Sequence, residues 1–417
     1  DNAHSIWAHS WDFEDQFEPF SADGITMHQY ICFGEQWKDD SDGSYYPQAG
    51  LGSLTHELGH YLGLSDLYDV NYSKEGEWIN SNVKYLSLMC GGSWGNYKDA
   101  GGNLVFKPAA LDPYCRSLLG YIDPEVLDQS GTYTVSSRDD SGGYTAYRIN
   151  TSDPDQYYLV ENRQYAGRDE GLQGCYQSRV KPYVVNNPTG GVVIWHIDNK
   201  ICEECDINAT GSKQNTINVA THRPGVMPVF RTGEQSIDPS LNVLYYYPFY
   251  NKALLETFPN DTVTTLANYN GDKIADMVDT GESVNATIDA ASSAMKVEVT
   301  LRANPISQDQ ISVANNTITV KETEDNQEYA LFDAEGNLVS GWTAAGDGQV
   351  VFDKLTYETT YTVKTRYTGD DKSVSDGTEV TTGKLTPVVS YSVHGQNYGW
   401  TQGYKSDGIT AGTTGKG

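Results

Sequence analysis

His56-Glu57-Leu58-Gly59-His60-Tyr61-Leu62-Gly63-Leu64-Ser65-Asp66 reads H-E-x-x-H-x-x-G-x-x-D. On a helix, residues four apart face the same way, so His56 and His60 would stand one turn apart on a common stripe. Two imidazoles at that spacing can hold one zinc ion. Glu57 would project beside them, where a base is needed to deprotonate a water activated by the metal. Gly63 can take a left-handed conformation and end the helix. The chain can then turn back and bring Asp66 under the metal as a third ligand. A fourth position stays open for water, which marks a catalytic site rather than a structural one.

Leu51, Leu54, Leu58 and Leu62 recur at helical spacing around the motif. They are expected to form the buried face of this helix, with the two histidines at its edge, where a cleft would open. Asp69, Glu75 and Glu77 compete with Asp66 for the third position. Asp66 could instead stand behind the ligands or bind calcium. Downstream, Ser87-Leu88-Met89-Cys90-Gly91-Gly92-Ser93-Trp94 sets a methionine in a tight glycine-rich turn. This resembles the Met-turn of metzincin-like proteases, where the Met forms an apolar floor beneath the metal. Read without that context, Met89 is a core residue filling an irregular gap.

Taken together, these segments resemble the immune inhibitor A-type secreted metallopeptidases. The likeness is carried by HELGHYLGLSDLYD from His56 to Asp69, SLMCGGSW in the Met-turn, Ser5-Ile6-Trp7-Ala8-His9 upstream, and PAALDPYCRSLLGY from Pro108 to Tyr121. It extends to Tyr157–Arg163 and Gly190–Asp198, which are similar to strands behind the peptidase core. It covers roughly residues 1–300. The resemblance implies His56, His60 and Asp66 as metal ligands, Glu57 as general base, and an α+β zincin (metzincin-like) catalytic domain.

Asp plus Glu number 56 against 28 Lys plus Arg, a net charge of −28. Phosphate binding needs a basic footprint, so nucleic acid is excluded as a partner, and an anionic membrane surface is disfavoured. Strong acidity suits a well-solvated extracellular protein. No apolar run approaches the length of a transmembrane helix. Six cysteines point to an oxidising compartment. Cys202-Glu-Glu-Cys205 has no second pair with which to build a structural zinc site, so a disulfide involving Cys175 is expected.

Residues 25–33, ITMHQYICF, alternate as one strand, the candidate for a cleft edge on which substrate would pair. A central strand fits the same pattern. His4, His9 and His28 are expected to be non-ligands, because a further His would close the open position. Only 55 residues precede His56, without a long amphipathic helix, so a signal, a pro-segment and part of the peptidase sheet are expected upstream.

From about Asp128 the chain becomes β-like. Met295, Val297, Val299 and Leu301 alternate with Lys296, Glu298 and Thr300 as a half-buried strand. His196, in GGVVIWHID, reads as a satisfied core or surface histidine. Beyond Asn304-Pro305, Thr317–Val320 is a short strand and Asp333-Ala-Glu-Gly-Asn337 a hairpin turn, while Tyr361, Val363, Thr365 and Tyr367 share a face. Leu355 followed six residues later by Tyr361 resembles the tyrosine-corner strand of fibronectin type III sandwiches. Val389-Ser-Tyr-Ser-Val-His-Gly-Gln-Asn-Tyr-Gly-Trp400 resembles the start of a clostridial hydrophobic (ChW) repeat with its Gly-Trp pair.

The expected organisation is a catalytic domain over 1–127, a β-rich region over 128–304, a fibronectin type III or Ig-like β-sandwich over 305–386, and a truncated ChW-type repeat over 387–417. The expected function is that of a secreted zinc-dependent metalloendopeptidase acting on extracellular proteins and peptides, with Glu57 as base. A structural Ca2+ and cell-surface partners for the C-terminal repeat are further expectations. Tyr68 and Tyr97 are candidate oxyanion donors. The rival from another class is a surface adhesion protein with a vestigial peptidase fold. A structural metal site would need a fourth protein ligand that no motif supplies.

Overall fold

The fold is that of a computed structural model, which describes residues 8–13, 18, 20–36, 49–71, 83, 86–164, 166–173, 190–219, 223–229, 236–238, 243–245, 264–269, 277–287, 293–385, 388–393 and 396–401. The chain forms two compact units, Asp1–Thr300 and Leu301–Gly417.

In the first unit, β1 (His9–Asp12) pairs antiparallel with β4 (Gln29–Cys32), His9 opposite Cys32. Between them lies a hairpin of β2 (Phe20–Ala22) and β3 (Ile25–Met27), turned by Asp23 and Gly24, both at positive φ. The expected single strand over 25–33 is therefore two. Asp-Gly favours a two-residue hairpin turn that claims Ile25–Met27 for local pairing. The run breaks at His28, whose carbonyl accepts from the Phe13 amide at 2.7 Å.

Helix α1 spans Leu51–Tyr61. Gly63 follows it at φ +94°, Leu64 N–H donates to Gly59 C=O and Gly63 N–H to His60 C=O, closing a Schellman motif. The expected leucine face is not the buried one. Leu51, Leu58 and Leu62 are exposed, whereas Gly52, Ser53, His56, Glu57 and Gly59 are buried. The cause is the partner, the turn at 87–94, which approaches two glycines closely, and at Gly52 with rigid backbone. A Cβ on Gly52 would stand 1.7 Å from the Ser93 carbonyl oxygen, and one on Gly59 2.4 Å from Met89 Sδ.

A small hairpin follows, β5 (Asn96–Lys98) with β6 (Leu104–Phe106). Helix α2 (Pro113–Leu118) begins with Pro113 in its first turn and Asp112 as N-cap, its carboxylate accepting from the Cys115 amide. The second Asp112 oxygen accepts from Ser87 Oγ at 2.6 Å, and Ser87 Oγ accepts from the Met89 amide, so this cap also fixes the Met89 turn.

Two sheets complete the unit. One is five-stranded, in the order β12-β11-β10-β9-β7, built from β7 (Glu125–Val126), β9 (Tyr147–Asn150), β10 (Gln156–Gln164), β11 (Gly190–Asp198) and β12 (Val226–Val229). The other is β15-β16-β17-β8, with β8 (Gly131–Ser136), β15 (Thr264–Tyr269), β16 (Met277–Thr287) and β17 (Ala294–Thr300). A further hairpin joins β13 (Ser236–Asp238) to β14 (Val243–Tyr245). On β17, Met295, Val297 and Val299 are buried while Lys296 and Glu298 are exposed, the expected alternation. Helix α3 (Asn199–Glu204) follows β11, capped by Asp198.

One apolar core holds Leu64, Leu67 and Met89 from around the motif together with Leu159, Trp195 and Ile197 from the five-stranded sheet. Each such fully buried side chain stabilises by about 1.5–3 kcal/mol, so the loop after α1 is anchored on the sheet. Arg163, 1 % exposed, reinforces this anchor. Its guanidinium pairs with Glu161 at 2.9 Å and Asp169 at 3.0 Å and donates to Leu86 C=O at 2.7 Å, at the entry to the Met89 turn. The described cysteines, Cys32, Cys90, Cys115, Cys202 and Cys205, are thiols. Cys202 and Cys205 are thus unbridged, and Cys175, the partner expected for one of them, lies outside the described residues.

The second unit contains two sheets, β18-β19-β22 and β21-β20-β23-β24. Their strands are β18 (Ile311–Ala314), β19 (Thr317–Lys321), β20 (Gln327–Phe332), β21 (Leu338–Ala344), β22 (Gln349–Phe352), β23 (Thr360–Tyr367) and β24 (Thr378–Thr381). Ile318, Val320, Tyr329, Leu331, Phe352 and Val363 fill the core. Asp333 turns β20 into β21, its carboxylate accepting from the amides of Glu335 and Asn337, with Gly336 at φ +83°. Tyr361 Oη accepts from the Thr356 amide at 3.1 Å. A last hairpin pairs β25 (Val388–Val393) with β26 (Gln396–Thr401), which carries Gly399-Trp400. Among the described residues no helix is long and apolar enough to cross a membrane.

Candidate metal centre

His56, Glu57 and His60 project from α1, and the loop after Gly63 brings Asp66 against them. Asp66 Oδ1 lies 3.1 Å from His56 Nε2 and 3.3 Å from His60 Nε2. The imidazole rings are 4.8 Å apart and near-perpendicular, at 87°. Each ring is oriented from behind: His56 Nδ1 donates to Leu88 C=O at 2.9 Å and His60 Nδ1 to Leu64 C=O at 2.8 Å. A carbonyl can only accept, so the proton of each neutral ring sits on Nδ1 and the Nε2 lone pair faces Asp66. Met89 lies fully buried beneath, against Gly59.

Two imidazole nitrogens thus converge on a buried carboxylate oxygen, Asp66 Oδ1, that has no hydrogen-bond donor. Such an arrangement draws positive charge. Burial alone would raise the Asp66 carboxyl, but with protons on Nε2 in place of a metal, hydrogen bonds and charge from His56 and His60 outweigh burial and hold it far below the ordinary carboxylate range. Burial lowers the His60 imidazole, and Asp66 more than reverses this, so its net shift is upward. The three ligand atoms lie within 4.8 Å of one another. Two imidazole nitrogens and one carboxylate oxygen form a donor set suited to zinc, with no fourth protein ligand in the group among the described residues. Among the described residues this is the one cluster of three or more His, Cys, Asp or Glu able to hold a metal ion.

Glu57 is buried beside the group of His56, His60 and Asp66 and lines the same cleft. Burial raises its carboxyl above the ordinary value, although the neighbouring imidazoles work against this. The cleft has a volume of about 550 Å³; β1 supplies one wall, with His9, Trp11 and Asp12, and the segment 207–215 the other.

The remaining candidates separate clearly. Asp69 is buried and its Oδ1 accepts from the Asn71 amide, away from the cluster, while Glu75 and Glu77 lie outside the described residues. His9 lines the cleft but its Nε2 meets Tyr30 Oη at 3.1 Å. His28 is not in the cluster, and His4 lies outside the described residues. His196 is a core residue on β11, bonded through Nε2 to Gln156 Oε1 at 3.0 Å. Tyr68 stands in the cleft, its ring stacked 6.4 Å from that of His56, whereas Tyr97 sits on β5 under the Lys107 ammonium.

Sequence reasoning missed Asn215. Its side chain accepts from the Asp66 amide at 2.7 Å and donates to Asp66 Oδ2 at 2.7 Å. Three residues on, Asn218 donates to Leu67 C=O at 3.1 Å. No local pattern marks either residue, because their partners lie about 150 positions earlier in the chain.

Residues 2–120 match the family model described as immune inhibitor A peptidase M6, catalytic domain. The chain is also similar to "Immune inhibitor A" of Bacillus thuringiensis subsp. alesti, 29 % identical over 161 residues, which cover 36 % of this chain and 22 % of that protein. The match thus spans about a fifth of the relative's length. Peptidases of family M6 are metallopeptidases, so residues 2–120, which carry the His-Glu-His-Asp constellation, have the likeness of a metallopeptidase catalytic domain.

Proposed function

We propose that the chain is a secreted zinc metalloendopeptidase in which His56, His60 and Asp66 hold the metal and Glu57 is the general base. The observation that carries this reading is the convergence of two imidazole nitrogens on the buried Asp66 Oδ1 beside a buried glutamate. When bound, zinc would supply a Lewis acid for water and the scissile carbonyl. Glu57 accepts the proton of the attacking water and returns it to the leaving amine. Its raised pKa suits a group that must both take and give a proton. His56 and His60 keep their Nδ1 protons on backbone carbonyls and so stay oriented through the reaction. An extended peptide substrate would run along β1, which lines the cleft beside His56 and His60. Tyr68 is the better placed of the two candidate oxyanion donors.

The downstream modules support an extracellular setting. Three-on-four sheets and the Tyr361 bond back to the Thr356 amide favour a fibronectin type III-like sandwich for the second unit. The β25–β26 hairpin with Gly399-Trp400 fits the start of a ChW-type repeat that engages cell-surface components.

The test is cleavage of an unfolded protein substrate by the zinc-loaded chain and by Glu57→Gln. The expected result is cleavage by the parent, abolished by chelator, with Glu57→Gln retaining one zinc and losing at least about 100-fold in rate. Equal rates for the two would remove Glu57 from the mechanism. Zinc binding without cleavage of any peptide in a broad library would favour the adhesion role.

A further inference from the structure

Asp66 lies in the loop after α1 rather than on the helix, and two hydrogen bonds to one side chain hold it. The Asn215 carboxamide uses both ends on this one residue: its oxygen takes the Asp66 amide hydrogen at 2.7 Å, and its nitrogen gives a hydrogen to Oδ2 at 2.7 Å. Oδ2 is thereby occupied, and Oδ1 alone is left toward the two imidazoles. Asn215 is itself set at φ +54°, a left-handed conformation that asparagine tolerates better than other side chains, and its own amide donates to Asp206 C=O at 2.8 Å.

We propose that Asn215 is a positioning residue for the metal centre, presenting Asp66 as a one-oxygen ligand. The inference rests on the metal-centre reading above and deepens it. Only a side chain with an acceptor and a donor at one end can hold both an amide and a carboxylate oxygen. An aspartate there would oppose the Asp66 charge, and an alanine would leave two buried polar groups without a partner. Because Asn215 lies well beyond residues 2–120, the segment matched to the peptidase family does not contain the whole centre. The segment 206–218 completes it from outside.

The experiment measures zinc affinity of the full chain by competition with a chromophoric chelator, for the parent, Asn215→Gly, Asp66→Ala and the double variant. Glycine keeps the left-handed backbone and removes only the carboxamide. Asn215→Gly is expected to weaken zinc binding about 10–100-fold, the usual consequence of losing an outer partner of a ligand. In the Asp66→Ala background the same change is expected to cost nothing further, because Asn215 acts through Asp66. The cobalt-loaded Asn215→Gly protein at saturation should show an altered visible spectrum. Lys98→Ala, at an exposed position on β5, should leave affinity and spectrum unchanged. Parent-like affinity in Asn215→Gly, or an equal loss with and without Asp66, would overturn the proposal. His60→Ala separates the two levels: parent-like zinc binding by that variant would overturn the metal-centre reading itself, and this inference with it.

Discussion

Replacing Gly52 by alanine tests the packing that seats the metal-binding helix. Alanine is the better helix former by about 1 kcal/mol, so propensity alone expects a more stable protein. The surroundings argue otherwise. The added Cβ would lie 1.7 Å from the Ser93 carbonyl oxygen, 2.7 Å from its carbonyl carbon and 3.2 Å from its Cα, where ordinary contact begins at 3.4 Å. All three atoms are backbone, in a turn held by Gly92 N–H to Ser87 C=O and Gly95 N–H to Gly92 C=O. No side chain can swing aside, so helix and turn must part by about the missing 1.7 Å. Overpacking of this kind costs about 1–3 kcal/mol, and a rigid backbone partner puts it at the upper end. Subtracting the propensity gain leaves a net loss of about 2 kcal/mol. For a unit of this size that lowers the melting temperature by roughly 3 °C. His56 follows one turn later and is oriented by Leu88 C=O of the same turn at 2.9 Å, so zinc affinity should fall as well. Thermal melting of the zinc-free chain and a zinc titration measure both effects. A Gly52→Ala protein as stable as the parent, or more stable, would refute the close packing of α1 against the 87–94 turn.

At Gly59 the same substitution meets Met89 Sδ at 2.4 Å and Cε at 3.0 Å, the end of a flexible side chain, so Gly59→Ala should change stability by less than about 1 kcal/mol, read in the same melts. Burial, helped by the Arg223 charge, pushes the His196 imidazole down to about 3 from an ordinary 6.5. The folded state therefore binds fewer protons than the unfolded state between these values, and stability present above pH 6.5 is lost as the pH falls, at up to about 1.4 kcal/mol per unit. Urea unfolding of the chelator-treated parent and His196→Asn at pH 6.5 and 5 should show a steeper fall in the parent, and parallel curves would contradict this. Tyr361→Phe removes the acceptor for the Thr356 amide and should destabilise the second unit by about 1 kcal/mol while leaving zinc affinity unchanged, as calorimetry with a parallel zinc titration would register.

The part of the site that sequence could express is local. The spacing of His56, His60 and Asp66 around a helix-ending Gly63 sets the geometry within eleven residues, and the alternation over 294–300 decides which face of β17 is buried. The leucine stripe of α1 misleads for a definite reason. Hydrophobic periodicity assumes that the apolar side faces the core, but here close approach to the 87–94 turn requires the glycine side to face inward. Residues 25–33 misled because alternation is blind to a change of pairing partner at His28. Asn215 and Arg163 carry no local signal at all. Each is defined by groups far away in the chain, Asp66 for Asn215 and the Leu86 carbonyl for Arg163.

The most direct test of the central claim is the zinc K-edge absorption spectrum of the chain loaded with one equivalent of zinc. Two imidazoles with oxygen donors, and no sulfur, are expected from His56, His60, Asp66 and an open position for water. Sulfur scattering, which would bring in Cys115, Cys202 or Cys205, or a third imidazole such as His9, would contradict the account.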